Sequence, residues 1–208
     1  MEALTVHLFV FNGMADWEAS FAIAGINNPR YQREPGRFRV ATAGETDAAI
    51  VTMGGVCILP NMTLAELTPT GSAMLILPGG DAWERGENQE AIMKVAEFLA
   101  VGIPVAAICA AVVALARAGF LDNRLHTGNS SEHLRTSGYR GSSLYRNLPA
   151  MADGNIITAS GLAPVDFAYQ ILGALGLYTE EALNAWYAMF KGGDARSEAP
   201  AGAAARLA

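Results

Sequence analysis

Cys109 stands where one pattern gives way to another. Before it runs Pro104-Val105-Ala106-Ala107-Ile108, apolar and strand-like, and after it Ala110 to Ala118 reads as a helix closed by Gly119. A buried strand that turns directly into a helix puts the intervening residue at the carboxyl edge of an α/β sheet, where ligands and nucleophiles collect. The first free N–H groups of the helix and its dipole are expected to favour a thiolate there and to lower the thiol pKa. Ala110 and Ala111 leave room for an approaching ligand, and hydrolases with a sharp nucleophile elbow share this order of elements. Free cysteines are also common in cores, so the pattern leaves a structural thiol open. Cys57, set among Val56, Ile58 and Leu59, reads as a core residue.

Two further features belong on the same edge. Pro78-Gly79-Gly80 stops the apolar run Ala73 to Leu77. Paired glycines let the backbone approach a ligand and turn an N–H toward an oxyanion, or they make an ordinary turn. Asp16-Trp17-Glu18 follows the first apolar run. One acid suits a helix cap, and the other can point inward. A carboxylic acid beside a thiolate donates a hydrogen bond when burial and like charge raise its pKa. Of the three histidines, His7 lies inside the first strand and reads as structural, whereas His126 and His133 follow the cysteine helix. A Cys-His pair needs contact. The stretch Arg124 to Ser130 around His126 is either a polar active-site loop or a surface turn.

The elements that position these groups alternate. Strands are expected at Thr5–Phe11, Phe38–Ala43, Ala73–Leu77, Pro104–Ile108 and Asn155–Ala159. Helices are expected at Trp17–Ile26, Asn88–Val101, Ala110–Ala118, Pro164–Leu175 and Glu180–Phe190, the last with Thr179 as N-cap. Val51–Leu59 suggests a hairpin broken by Gly54-Gly55, and Ser130–Thr136 a short helix capped by Ser130. Near-continuous apolar strands alternating with helices mark a mostly parallel sheet covered on both faces. No repeat or linker divides the chain. Residues 1–191 are read as one α/β domain, and the Gly-, Ala- and Ser-rich stretch 192–208 as a disordered tail.

Composition narrows the partners. Of 208 residues, 51% are apolar and 16% charged, which excludes a disordered chain. A net charge of −6 gives no electrostatic reason to bind nucleic acid or an anionic membrane, and the three arginines from Arg135 to Arg146 are too sparse a patch. No apolar run reaches the ~18 residues of a membrane span, and the Met1-Glu2-Ala3 start is not that of a signal peptide. A reducing cytoplasmic setting follows as the expectation. Three histidines and two cysteines form no compact zinc pattern, and the glycine pairs make no dinucleotide fingerprint. Neither a metal nor an organic cofactor is expected.

Taken in order, these stretches resemble the ThiJ/PfpI family of the class I glutamine-amidotransferase-like superfamily. They are Phe9-Val10-Phe11-Asn12-Gly13 with Glu18, Leu77-Pro78-Gly79-Gly80, Ala107-Ile108-Cys109, Leu115-Ala116-Arg117-Ala118-Gly119 with Leu121-Asp122, His126-Thr127-Gly128-Asn129, and Asp153 to Gly161 leading into Asp166-Phe167-Ala168. The resemblance implies a flavodoxin-like three-layer α/β/α sandwich, assembled as a homodimer or larger homo-oligomer. It implies a nucleophile elbow at Cys109 with Glu18 hydrogen-bonded to the sulfur, and N–H groups of Gly80 and Ala110 facing an anionic intermediate. His126 is the candidate for proton transfer, and Asp16, Gly79 and Asn129 are accessory candidates. Activities in the family include peptidase or amidase action, glyoxalase- or deglycase-type chemistry, isocyanide hydration and stress protection.

This chain departs from the pattern in two places. Ala110 stands where protease-like members have histidine directly after the nucleophile, and Asn129 stands where other members carry a loop histidine. The leading expectation is a cysteine-dependent enzyme acting on a small electrophile. The alternatives are an oxidative sensor, with Cys109 oxidised to a sulfinate beside Glu18, and a scaffold that keeps only the fold.

Overall fold

From Thr5 onward the first strand, β1 (Leu4–Phe9), is buried on both faces, as the centre of a parallel sheet requires. In the computed structural model, which describes residues 3–192, it is followed by helix α1 (Asp16–Asn27) and strand β2 (Phe38–Gly44). Next come three two-residue strands, β3 (Ile50–Val51), β4 (Cys57–Ile58) and β5 (Met62–Thr63), and then β6 (Ser72–Leu77). Helices α2 (Asp81–Glu84) and α3 (Gln89–Ala100) lead to β7 (Val105–Ile108). Helices α4 (Ala110–Arg117) and α5 (Ser131–Arg135) precede β8 (Ala150–Asp153) and β9 (Ile156–Ala159), and α6 (Pro164–Ala174) and α7 (Glu180–Lys191) close the fold.

Seven strands form one sheet in the order β5-β2-β1-β6-β7-β9-β8, parallel except for the β8–β9 pair. This is the expected mostly parallel α/β architecture. The chain first builds outward from β1 to β2, then returns to place β6 on the other side of β1. With the right-handed crossovers usual between parallel strands, this order puts α1 on one face and α3 and α4 on the opposite one. Helices α1, α6 and α7 pack together, and α4 packs on α2 and α5. The reversal of direction opens a crevice at the carboxyl ends of β1 and β6. Glu18, Gly79 and Cys109 follow β1, β6 and β7 respectively, so all three are delivered to that edge.

The helix caps follow the residue types. Ser130 accepts a hydrogen bond from the His133 N–H (3.1 Å), and Thr179 accepts one from Ala182 (3.2 Å). The Val51–Leu59 region is indeed a small antiparallel hairpin, β3–β4, separate from the main sheet. Cys57 is a correction. It is exposed, as are Val56 and Leu59, because a two-residue strand opposite a Gly54-Gly55 turn offers no second layer to pack on. Strand β8 was not expected either. The tail expected over residues 192–208 lies outside the described residues beyond Gly192, which ends α7.

Candidate active site

Cys109 sits at φ 60°, ψ −128°, between the last residue of β7 and the first of α4. Its N–H still donates to Ala159 O (3.0 Å), holding it to the neighbouring strand. Its C=O accepts from Val112 N–H (3.1 Å), already a helical turn onward. A non-glycine residue in such a conformation costs about 1–3 kcal/mol, which the flanking strand and helix impose. The strained turn lifts the side chain off the sheet, and the Ala110 N–H donates to the sulfur.

Glu18 lies in the first turn of α1 with only 1% of its surface exposed. The Gly79 N–H donates to its Oε2, and the carboxyl is hydrogen-bonded to the Cys109 thiol. Two glycines make room for this contact. A Cβ added at Gly79 would sit 2.6 Å from Cys109 Cβ and 2.8 Å from Glu18 Oε2. A Cβ added at Gly161 would sit 2.7 Å from Cys109 Sγ and 3.2 Å from Glu18 Oε1.

Gly161 is itself held from both sides. Its C=O accepts from the Trp17 indole N–H (3.3 Å), and its N–H donates to Asn129 Oδ1 (2.9 Å). That bond orients the Asn129 amide, whose Nδ2 donates to Cys109 Sγ (3.3 Å). Sequence reasoning passed over Gly161 and Trp17 as site residues. The signal was present, because Gly161 closely follows β9, the neighbour of β7, and so shares the carboxyl edge. Gly161→Ala is expected to slow Cys109 alkylation at least about 10-fold while far-ultraviolet circular dichroism stays unchanged, since the new methyl displaces the sulfur.

The surroundings of the thiol run against one expectation. Burial, and after it the Glu18 charge, push the Cys109 thiol up to about 11, overriding the hydrogen bonds from Asn129 and Ala110. Burial also raises the Glu18 carboxyl to about 7, against the opposing pull of the Gly79 and Cys109 hydrogen bonds. Two acids in contact cannot both ionise readily, so the pair gives up its first proton near neutrality and its second only far above it.

The sequence model of the DJ-1/PfpI family matches residues 4–174. The chain belongs to that family. It is 37% identical to the uncharacterized protease YoaZ of Bacillus subtilis over 92% of each chain. Among solved structures it resembles the thiJ/pfpI family protein from Bacillus anthracis (TM-score 0.83, 39% identity, 91% of each chain). It also resembles the DJ-1 superfamily protein Atu0886 from Agrobacterium tumefaciens (TM-score 0.78, 33% identity, 88% of this chain and 95% of that one).

In this DJ-1/PfpI protein the histidines do not reach the thiol. His126 is fully buried, and both ring nitrogens are spent. Nδ1 donates to Arg124 O (2.8 Å), because a carbonyl can only accept, so Nε2 accepts from the Tyr139 hydroxyl (2.9 Å). Burial lowers its pKa, and a neutral, doubly bonded imidazole packed on Tyr139 and Tyr145 acts as a structural post. The expected proton-transfer role of His126 is therefore corrected. His133 pairs with Glu84 (2.7 Å) at the surface. Asp16 is corrected as well. It accepts from the Thr52 hydroxyl (2.5 Å) and the Gly54 N–H (2.7 Å), fastening the β3–β4 hairpin to the start of α1.

Gly80 precedes α2 at φ 155°, where an added Cβ would lie 2.9 Å from both Gly13 O and a Phe11 ring carbon. The turn before it is fixed by Trp83, whose Nε1 donates to Pro78 O (2.8 Å) while its ring packs against Phe9 and Phe11. No group of three or more His, Cys, Asp or Glu suited to a metal ion occurs among the described residues. Nor is any helix among them long and apolar enough to cross a membrane.

Proposed function

We propose that this protein is a cysteine-dependent enzyme acting on a small electrophilic substrate. The observation that carries the reading is the buried contact between the Glu18 carboxyl and the Cys109 thiol, walled by Gly79 and Gly161. A carboxyl poised near 7 accepts and returns a proton at neutral pH, which is what a thiol nucleophile without histidine needs. As the S–C bond forms, Glu18 takes the thiol proton and the carbonyl π pair moves onto oxygen. Glu18 then returns the proton to that oxygen. Gly79 has committed its N–H to Glu18, so Gly80 is assigned to the developing oxyanion, joined by the Ala110 N–H, which rests on the thiol and is released as the S–C bond forms.

Peptide hydrolysis, suggested by the name of the Bacillus subtilis relative, is the weaker fit. Asn129 and Ala110 occupy the positions from which a histidine would protonate a leaving amine. Addition to a dicarbonyl or isocyanide expels no amine and needs only a local proton transfer, after which water takes the sulfur's place on carbon and returns the free thiol.

Cys109→Ala is expected to abolish turnover of such substrates and to leave the melting temperature within a few degrees of wild type. Cys57→Ala should keep full activity. Unchanged turnover in Cys109→Ala would overturn the proposal. The sensor alternative draws on the same donors, since Asn129 Nδ2 already bonds the sulfur and a protonated Glu18 can donate to a sulfinate. Mass spectrometry after mild peroxide separates the two. Oxidation confined to Cys109, in a protein that turns over none of these substrates, favours the sensor.

A further inference from the structure

Asn129 belongs to two places at once. Its amide bonds the Cys109 sulfur, and it also lines a groove of about 390 Å³ that runs beside the site. That volume is in the range of a small-molecule pocket. The walls come from separate segments. Asn129 lies ahead of α5, Leu148 ahead of β8, Ser160, Leu162 and Ala163 between β9 and α6, and Lys191 is the last residue of α7. Leu162 is 94% exposed and Leu148 about half exposed, so among the described residues the flanks offer open apolar surface. Among the described lining residues Lys191 carries the only charge.

The lysine is held in place. Asp166, buried in the first turn of α6, accepts from Lys191 Nζ through Oδ2 and from the Tyr187 hydroxyl through Oδ1 (2.7 Å). An ammonium has three N–H donors. One is given to Asp166, and the side chain remains 42% exposed, which leaves donors for a ligand. The Asp166 charge opposes an incoming anion, but it is shared with two donors, and Asp166 is not among the residues that line the groove. A recess of similar size, lined by Gly119, Phe120, Asn123, Arg124 and Asp153, shares no residue with this site and does not compete for the role.

We infer that the groove is the substrate's tail subsite, and that it selects electrophiles carrying a short apolar spacer that ends in a carboxylate. The electrophilic carbon meets Cys109, the spacer lies along Leu148 and Leu162, and the carboxylate takes the free donors of Lys191. This inference rests on the reading of Cys109 as the nucleophile.

The test uses the full chain carrying Cys57→Ala, so that Cys109 is the only thiol. Its alkylation rate is measured with neutral N-ethylmaleimide and with maleimides bearing a propionate or hexanoate tail. Each rate is divided by that of 2-mercaptoethanol with the same reagent. The carboxylate reagents are expected to be favoured over the neutral one, with the longer tail preferred and the preference falling as salt is added. Lys191→Met is expected to lower the preference about 3- to 10-fold, and Lys191→Arg to keep it. Lys94→Met makes the same change in net charge on α3 and should leave it alone. A preference that Lys191→Met does not change overturns the subsite and leaves the nucleophile reading standing. Failure of N-ethylmaleimide to modify Cys109 at any pH overturns both.

Discussion

Glu18→Gln is expected to cost the Cys109 thiol about 100-fold in reactivity at neutral pH. In the parent protein, alkylation should rise with pH through about 7, the value to which burial pushes the Glu18 carboxyl. Above that value the carboxylate is present to take the thiol proton as the sulfur attacks. Positioned proton transfer of this kind contributes roughly 10²–10⁴ in rate. The glutamine fills the same space and can still accept the Gly79 N–H, but it cannot take a proton. Removing the neighbouring charge eases thiol ionisation somewhat, yet burial still holds the thiol above its ordinary value. The variant should therefore lose the step near 7 and rise only at alkaline pH. A pH–rate profile with iodoacetamide in the Cys57→Ala background checks this. A Glu18→Gln profile that overlays the parent would remove Glu18 from the chemistry.

The same two kinds of buried group should leave a signature in stability. His7 is buried in β1 against Phe98 with Nδ1 unpartnered, and burial, helped by the Arg39 charge, lowers its pKa from 6.5 to about 4. The unfolded chain takes up that proton first, so as pH falls from about 6.5 to 4 the folded state loses on the order of 3 kcal/mol through His7. Glu18 works in the opposite sense. Its folded value, about 7, lies above its ordinary 4.5. Its contribution is fully present below about 4.5 and is lost as pH rises through 7, again on the order of 3 kcal/mol. Between about 4.5 and 6.5 the two slopes oppose each other. Glu18→Gln removes one arm, so urea unfolding should show that variant losing stability on acidification more steeply than the parent. His7→Leu removes the other arm and should reverse the trend. Parallel stability curves for all three proteins would show that neither group is held as described.

Much of this was legible because the physics involved is local. Apolar runs that break at Asn12-Gly13, Pro78-Gly79-Gly80 and Cys109 place three loops on one sheet edge. The 3.6-residue spacing of Ile92, Val95, Ala96 and Leu99 placed α3, and the run from Ala110 closed by Gly119 placed α4, each within a residue or two. Strand β8 escaped because Ala150-Met151-Ala152-Asp153 has no β-branched or aromatic residue and pairs with only one neighbour at the sheet edge. The rise of the thiol escaped because a helix N-terminus and a nearby carboxyl can be read from sequence, whereas the depth at which Cys109 and Glu18 are buried together cannot. His126 was misassigned for a related reason. Its place in the chain put it within reach, but only the folded loop shows the ring turned toward Tyr139 and Arg124.

The steric wall around the thiol also bears on how such a protein diverges. Gly79 and Gly161 guard the Cys109–Glu18 contact by having no side chain, and each glycine codon lies one base change from alanine. The mutation that closes the site is thus among the easiest to acquire. It falls on loops outside the sheet ladder, so the added methyl strikes Cys109 and Glu18 and leaves the ladder's hydrogen bonds in place. Lineages carrying this architecture would shed the proposed chemistry in a single step and keep the scaffold. For any relative, the residues aligned with Gly79 and Gly161 are therefore a sharper test of retained function than the cysteine itself.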